Sequence, residues 1–213
     1  MIDTEYDNFV SYLKDNQEKI KPFLQKQRKL AGCQYLSKAS NRFDKGKFVE
    51  IPLCNILSEL KYDEQDGFDA LFRGLKISIK SEKKFFYVRD RKGDCKEVIL
   101  KNSNASTSGS LVNIDPPDFD VLLLVSSLQE SLAVVKRDNI TFITKGSQVK
   151  SASLTKDRFT FIIEPNYALK EENNLNLDEQ IKTSKEKWVL DIYERLDELI
   201  VSGNQLPAAA NII

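Results

Sequence analysis

The stretch G-F-D-A-L-F-R-G-L-K-I-S-I-K-S, Gly67 to Ser81, decides the fold. Phe68, Ala70 and Phe72 alternate with Asp69, Leu71 and Arg73. After Arg73-Gly74, Leu75, Ile77 and Ile79 alternate with Lys76, Ser78 and Lys80. A period of two on both sides of a short glycine-containing break predicts a β-hairpin. A two-residue turn at Arg73-Gly74 pairs Phe72 with Leu75, Leu71 with Lys76, Ala70 with Ile77 and Asp69 with Ser78. Lys80 lies two residues beyond Ser78 and so shares its face. One face then carries Phe68, Ala70, Phe72, Leu75, Ile77 and Ile79. The other carries Asp69, Ser78, Lys80 and Glu82. A slip by one residue would expose the apolar set, so the pattern pins the register.

Upstream, Tyr6, Phe9, Val10 and Leu13 recur at helical spacing behind Thr4, a suitable N-cap, and predict a helix ending near Asn16. Pro22 is placed to open a second helix through about Leu36. Leu53, Ile56, Leu57 and Leu60 mark a third, with Pro52 in its first turn and Glu50 at or just before its start. Downstream, Phe85–Val88 and Val98–Leu100 read as strands joined by a turn over Asp90–Asp94. Asn102–Gly109 reads as a polar loop. Asp118–Ser126 (DFDVLLLVS) reads as a buried strand, and Asn139–Thr144 and Phe159–Glu164 as two more. Ile181, Trp188, Ile192, Leu196 and Leu199 predict a long amphipathic helix from Asp178 to Val201. Helices, a strand block and a closing helix imply one α/β or α+β domain over 1–213, read here as α/β. It comprises N-terminal helices over 1–60, a sheet over 66–164 and a C-terminal helix over 178–201.

Composition narrows the chemistry. The 213 residues include no histidine, which excludes Ser-His-Asp triads, Cys-His pairs and His-metal sites. A 41% hydrophobic share suffices for a packed core. Cys33, Cys54 and Cys95 are odd in number and show no C-x-x-C spacing, so reduced thiols are expected, not disulfides or a thiolate metal site. The acidic start MIDTEYD lacks the pattern of a signal peptide. The longest aliphatic run, Val121–Val125, falls far short of the ~20 residues a bilayer needs. These features predict a cytoplasmic protein without a membrane partner.

The polar hairpin face suits metal-assisted phosphodiester hydrolysis. Mg²⁺ prefers carboxylate, water and phosphate oxygens and needs few protein ligands. Asp69 could hold the ion beside a scissile phosphate, where it would polarise the phosphoryl oxygen and activate a water without histidine. Lys80 would stabilise the developing charge. Ser78 would ligate weakly or bond a metal-bound water. A second carboxylate is then required, with Glu50 and Glu82 as candidates and Glu97 as a weaker third. The same face would also suit a solvated hairpin, where a diagonal Asp69–Lys80 pair is worth ~0–1 kcal/mol.

The arrangement resembles the PD-(D/E)XK nuclease superfamily, to which most type II restriction endonucleases belong. Asp69 matches its first acid and Ser78-Ile79-Lys80 its (D/E)-x-K position. Gly46–Leu60 looks like the helix that often supplies a Glu, here Glu50, and D-F-D-V-L-L-L-V like the core strand that follows. The resemblance implies a restriction-endonuclease-like central mixed sheet flanked by α-helices. It also implies a site of Asp69, Ser78, Lys80, Glu50 and Glu82, with Mg²⁺ held by Asp69 and Glu50. Serine in place of the second acid is similar to a branch with S-x-K and a carboxylate donated from another element. That branch carries an R-x-E-like element, to which Lys96-Glu97 is the nearest approach; Pro117-Asp118 falls after the S-x-K.

Formal net charge is zero, with 32 basic and 32 acidic residues, yet charge is unevenly placed. Residues 73–101 hold ten bases against four acids, a net of +6. Residues 25–47 hold seven against one, also +6. Residues 166–202 hold five against nine, a net of −4. Bases gather near the hairpin, where phosphate neutralisation would be needed. Lys83, Lys84, Arg89, Arg91 and Lys92 are the expected DNA contacts. The reading is a Mg²⁺-dependent endonuclease cutting double-stranded DNA at a short sequence as a homodimer, since two cuts in a palindrome call for two-fold assembly. Junction-resolving or repair nucleases of the same fold, and a non-catalytic DNA-binding protein that has lost its second acid, are the alternatives.

Overall fold

The computed structural model describes residues 2–33, 42–65, 67–88, 95–101, 118–145, 148–155 and 159–171. The helix expected over 178–201 and the polar loop expected over 102–109 lie outside them.

Helix α1 (Ile2–Asp15) buries Tyr6, Phe9 and Leu13, the stripe that the sequence spacing indicates. Thr4 lies inside its first turn instead of capping it. Asp3 and Glu5 put negative charge at the positive end of the helix. The chain breaks step at Asn16, whose φ of −104° and ψ of 17° are not helical. Its N–H bonds the Tyr12 and Leu13 carbonyls, and its own carbonyl accepts from Lys19 and Ile20. Helix α2 (Gln17–Ala31) therefore starts before Pro22, which sits inside it. The bond lost at the proline is offset by burial of Ile20, Phe23, Leu24 and Leu30. The expected run to Leu36 is cut at Ala31, where Gly32 and Cys33 bond back to the Lys29 and Leu30 carbonyls.

Helix α3 (Arg42–Ile56) begins well before Pro52, so Glu50 is mid-helix and not at its start. Phe48, Val49, Leu53 and Cys54 are buried along it, and Leu57 just beyond. Leu60, read as helical, instead opens the first strand.

The strands are β1 (Leu60–Gln65), β2 (Phe68–Phe72), β3 (Leu75–Glu82), β4 (Tyr87–Val88), β5 (Cys95–Lys101), β6 (Val121–Ser126), β7 (Ser131–Lys136), β8 (Thr141–Lys145), β9 (Gln148–Thr155) and β10 (Phe159–Ile163). A six-stranded mixed sheet runs β1-β2-β3-β6-β7-β10, and β4-β5-β9-β8 form a second sheet of four. In the first sheet β3 and β6 pair parallel and every other pair is antiparallel. A parallel pair needs a long crossover, and residues 83–120 supply it, with β4 and β5 on the way. The sequence did not disclose β1, β7 or β9. β1 (LKYDEQ) is a charged edge strand without an apolar alternation. β7 follows β6 through a tight turn with Glu130 at φ 46°.

The central strands of the six-stranded sheet, β6 and β7, are buried on both faces. On one, α1, α2 and α3 pack Phe9, Leu13, Ile20, Phe23, Leu53 and Leu57 against Phe72, Leu75, Ile77, Ile79, Val121, Leu123 and Val134. On the other, Leu122, Leu124, Ala133 and Val135 join Phe85, Phe86, Phe119 and Phe159. Every residue of β6 is buried, which explains its uninterrupted apolar run. The molecule is thus α/β, with a mixed sheet whose helical layer covers one face among the described residues. No described helix is long and apolar enough to cross a membrane.

Candidate active site at the β2–β3 hairpin

Arg73 and Gly74 make the hairpin turn with φ of 47° and 91°. Positive φ at both central residues is the turn that matches strand twist. Phe72, Leu71 and Ala70 pair with Leu75, Lys76 and Ile77, the register expected from the alternation. Phe68 departs from the expected face. It belongs to the cluster opposite the helices, where Lys76 Nζ lies 5.5 Å from its ring centre. It begins β2 directly after Gly67 (φ 106°), opposite a bulge between Tyr62 and Gln65, so the alternation is not enforced there.

Beyond Ala70–Ile77 the β2–β3 ladder stops, while β3 stays paired to β6 as far as Glu82–Ser126. The side chain of Asp69 fills the opening. Its Oδ2 accepts the Ile79 backbone N–H at 2.6 Å and the Ser78 hydroxyl at 3.2 Å, and lies 3.6 Å from Lys80 Nζ. The Asp69 and Lys80 side chains are 19% and 32% exposed, and Ser78 is buried. The hairpin therefore brings the acid, the hydroxyl and the ammonium into one half-buried cluster.

Glu50 lies mid-way along α3. Its carboxylate folds back over Gly46, one turn earlier. A Cβ on Gly46 would lie 2.5 Å from Glu50 Oε1, so only glycine leaves that space open. One turn later, burial above all, with the negative charges of Glu50 and Asp69 acting in the same direction, pushes the Cys54 thiol up to about 12. Cys54 is thus a neutral thiol within electrostatic reach of both carboxylates. The sequence reading gave Gly46 and Cys54 no part in the site; their i, i+4 spacing about Glu50, within the stretch that resembles a Glu-supplying helix, was the available signal. Glu82 sits at the exposed end of β3, about 13 Å along the strand from Ser78. The side chain of Glu97 lies outside the described residues. Among the described residues no three His, Cys, Asp or Glu side chains gather into a metal-binding group.

Lys83 and Lys84 follow β3 directly. Their segment is anchored by hydrogen bonds from Phe85 N–H to Ser126 Oγ (3.2 Å) and from Phe86 N–H to Gln129 Oε1 (3.1 Å). Gln129 Nε2 returns a bond to the Phe86 carbonyl at 2.6 Å. Lys83 forms an ion pair with Glu171, and Lys84 is exposed. Arg89, Arg91 and Lys92 lie outside the described residues. At the other end of β3, Lys76 pairs with Asp118 at 2.8 Å. A cleft of about 480 Å³ opens there, bordered by Asp3, Asp118, Asp120, Lys136 and Arg137, and it contains none of the candidate residues.

A scan against protein-family models finds no match to this chain, and a search of curated proteins finds no relative.

Proposed function

We propose that this chain is a Mg²⁺-dependent endonuclease that hydrolyses double-stranded DNA at a specific short sequence. In this reading the mixed sheet is restriction-endonuclease-like, and the protein works as a cytoplasmic homodimer. The observation that carries it is the convergence of Asp69 and Lys80, 3.6 Å apart, where the β2–β3 ladder opens. A carboxylate beside an ammonium on one rigid hairpin is the minimum that metal-assisted phosphodiester cleavage asks of a protein without histidine.

The donors fit a hard cation. Every hydrogen bond and ion pair of Asp69 among the described residues falls on Oδ2, which leaves Oδ1 for a metal. Glu50 on α3 is the proposed second carboxylate; it and Asp69 both act on the Cys54 thiol. One or two carboxylates with water and phosphate oxygens are the usual Mg²⁺ set beside a phosphate substrate. When bound, the ion would supply Lewis-acid polarisation of the phosphoryl group and a water of lowered pKa. Lys80 stabilises negative charge building on the phosphoryl group. Lys83 and Lys84 meet the flanking backbone, together with Arg89, Arg91 and Lys92.

One observation favours a second reading. The described residues hold no ready-made group of three metal-ligating side chains, which suits a DNA-binding protein of this fold that has lost cleavage. Digestion of plasmid DNA with and without Mg²⁺ separates the readings. Discrete Mg²⁺-dependent fragments support the restriction-type endonuclease. Cleavage confined to branched or damaged DNA points to a resolving or repair nuclease with the same chemistry. Binding with no cleavage of any substrate sinks the catalytic proposal.

A further inference from the structure

We propose that Ser78 is a positioning residue for Asp69 and does not replace the missing second carboxylate as a metal ligand; the inference rests on the divalent-cation reading above. The Ser78 hydroxyl is buried, at 2% exposure, and its hydrogen bond runs to Asp69 Oδ2 at 3.2 Å. The Ile79 N–H bonds the same oxygen at 2.6 Å, and Lys80 Nζ is nearest to it as well. Two donors on one carboxylate oxygen fix the rotation of the group and turn Oδ1 away from them. A cation that keeps most of its water meets Oδ1 and has no path to a hydroxyl sealed behind the carboxylate. The serine in the S-x-K position is therefore a donor that holds the acid.

The test is metal binding by the full-length, metal-free protein without DNA, read as Mn²⁺ affinity by electron paramagnetic resonance and Cd²⁺ affinity by calorimetry. Wild type is the baseline for any Cd²⁺ taken by the native cysteines. The expected results are Mn²⁺ binding by wild type, its loss in Asp69→Asn, and a roughly 10-fold weakening in Ser78→Ala. Ser78→Cys should gain no Cd²⁺ affinity over wild type, because a thiol outside the coordination sphere cannot exploit its softness. A tenfold or greater Cd²⁺ gain in Ser78→Cys would identify position 78 as a ligand and overturn the inference while the metal reading stands. Ser78→Ala binding Mn²⁺ as wild type does would overturn the positioning role alone. Wild type binding no Mn²⁺ would overturn both.

Discussion

The Ile79 backbone N–H donates to Asp69 Oδ2 at 2.6 Å, at the point where continued strand pairing would have offered it a main-chain carbonyl of β2. A side chain has replaced the ladder. The substitution satisfies a backbone donor that would otherwise lack a partner, and it lets β2 and β3 separate without cost at that bond. The separated strands expose the Asp69–Lys80 pair. Fold and candidate site therefore meet in one carboxylate, and variants at position 69 should report on both.

Asp69→Ala removes the acceptor of both Ile79 N–H and the buried Ser78 hydroxyl. Leaving such donors unmatched costs about 1–3 kcal/mol. Asp69→Asn keeps an oxygen that can accept from Ile79, so its loss should be about 1 kcal/mol or less. Urea unfolding should rank wild type, Asn, then Ala, while DNA cleavage is abolished in both variants. An alanine variant as stable as wild type would show that the carboxylate does not anchor the opened strands.

Lys80→Met keeps most of the aliphatic stem and deletes the charge. Its ion pair is partly exposed, so stability should move by only about 0–1 kcal/mol. Cleavage should fall by about 100-fold or more, the usual consequence of removing a group aimed at developing charge. DNA affinity, measured by fluorescence anisotropy in Ca²⁺, should stay within about threefold, because one lysine is a small part of the phosphate contacts. Retained cleavage with weakened binding would reassign Lys80 to a phosphate contact.

The hairpin was legible because its two signals agree: alternation on both sides and a turn dipeptide that tolerates positive φ. Its register, and with it the approach of Asp69 to Ser78, follows from those residues alone. The helices were less legible where local rules misled. Pro22 and Pro52 are good first-turn residues, yet both lie inside helices held by apolar burial on the sheet. The proline rule placed Glu50 at or just before a helix start, whereas it lies mid-helix. β1 was invisible because an edge strand that pairs on one side needs no apolar alternation. The departure of Phe68 from its face depends on Gly67 and on a bulge formed with β1, a tertiary event with no mark in the hairpin's own pattern.

Gly46 is the control point for Glu50. Alanine there would place its Cβ 2.5 Å from Glu50 Oε1, and the flexible carboxylate would have to move. An interior helix glycine costs roughly 1 kcal/mol relative to alanine, so Gly46→Ala should raise stability in urea by about 0.5–1 kcal/mol. If Glu50 supplies the second carboxylate, the same variant should lose cleavage, as Glu50→Gln does, and the double variant should lose no more than either alone. Full activity in Gly46→Ala together with loss in Glu50→Gln would mean that the carboxylate works from another rotamer.

Cys54 sets a pH dependence whose sign can be worked out. The thiol titrates near 9.0 in the unfolded chain and is held up to about 12 in the folded one, first by burial and then by the charges of Glu50 and Asp69. Below pH 9 both states keep the proton and the group contributes no slope. Between about 9 and 12 the unfolded state has released a proton that the native state retains, so stability falls as pH rises. The slope from one such group is at most about 1.4 kcal/mol per pH unit. Cys54→Ala should lower stability slightly at pH 8 and flatten the decline between pH 9 and 11, so that the two curves converge as pH rises. Urea unfolding at pH 8, 9.5 and 11 for both proteins makes the comparison, which cancels the lysines and tyrosines that titrate in the same range. Glu50→Gln removes only a lesser cause of the shift and should leave a slope close to that of wild type. Curves for wild type and Cys54→Ala that run parallel from pH 8 to 11 would show that burial does not hold the thiol protonated.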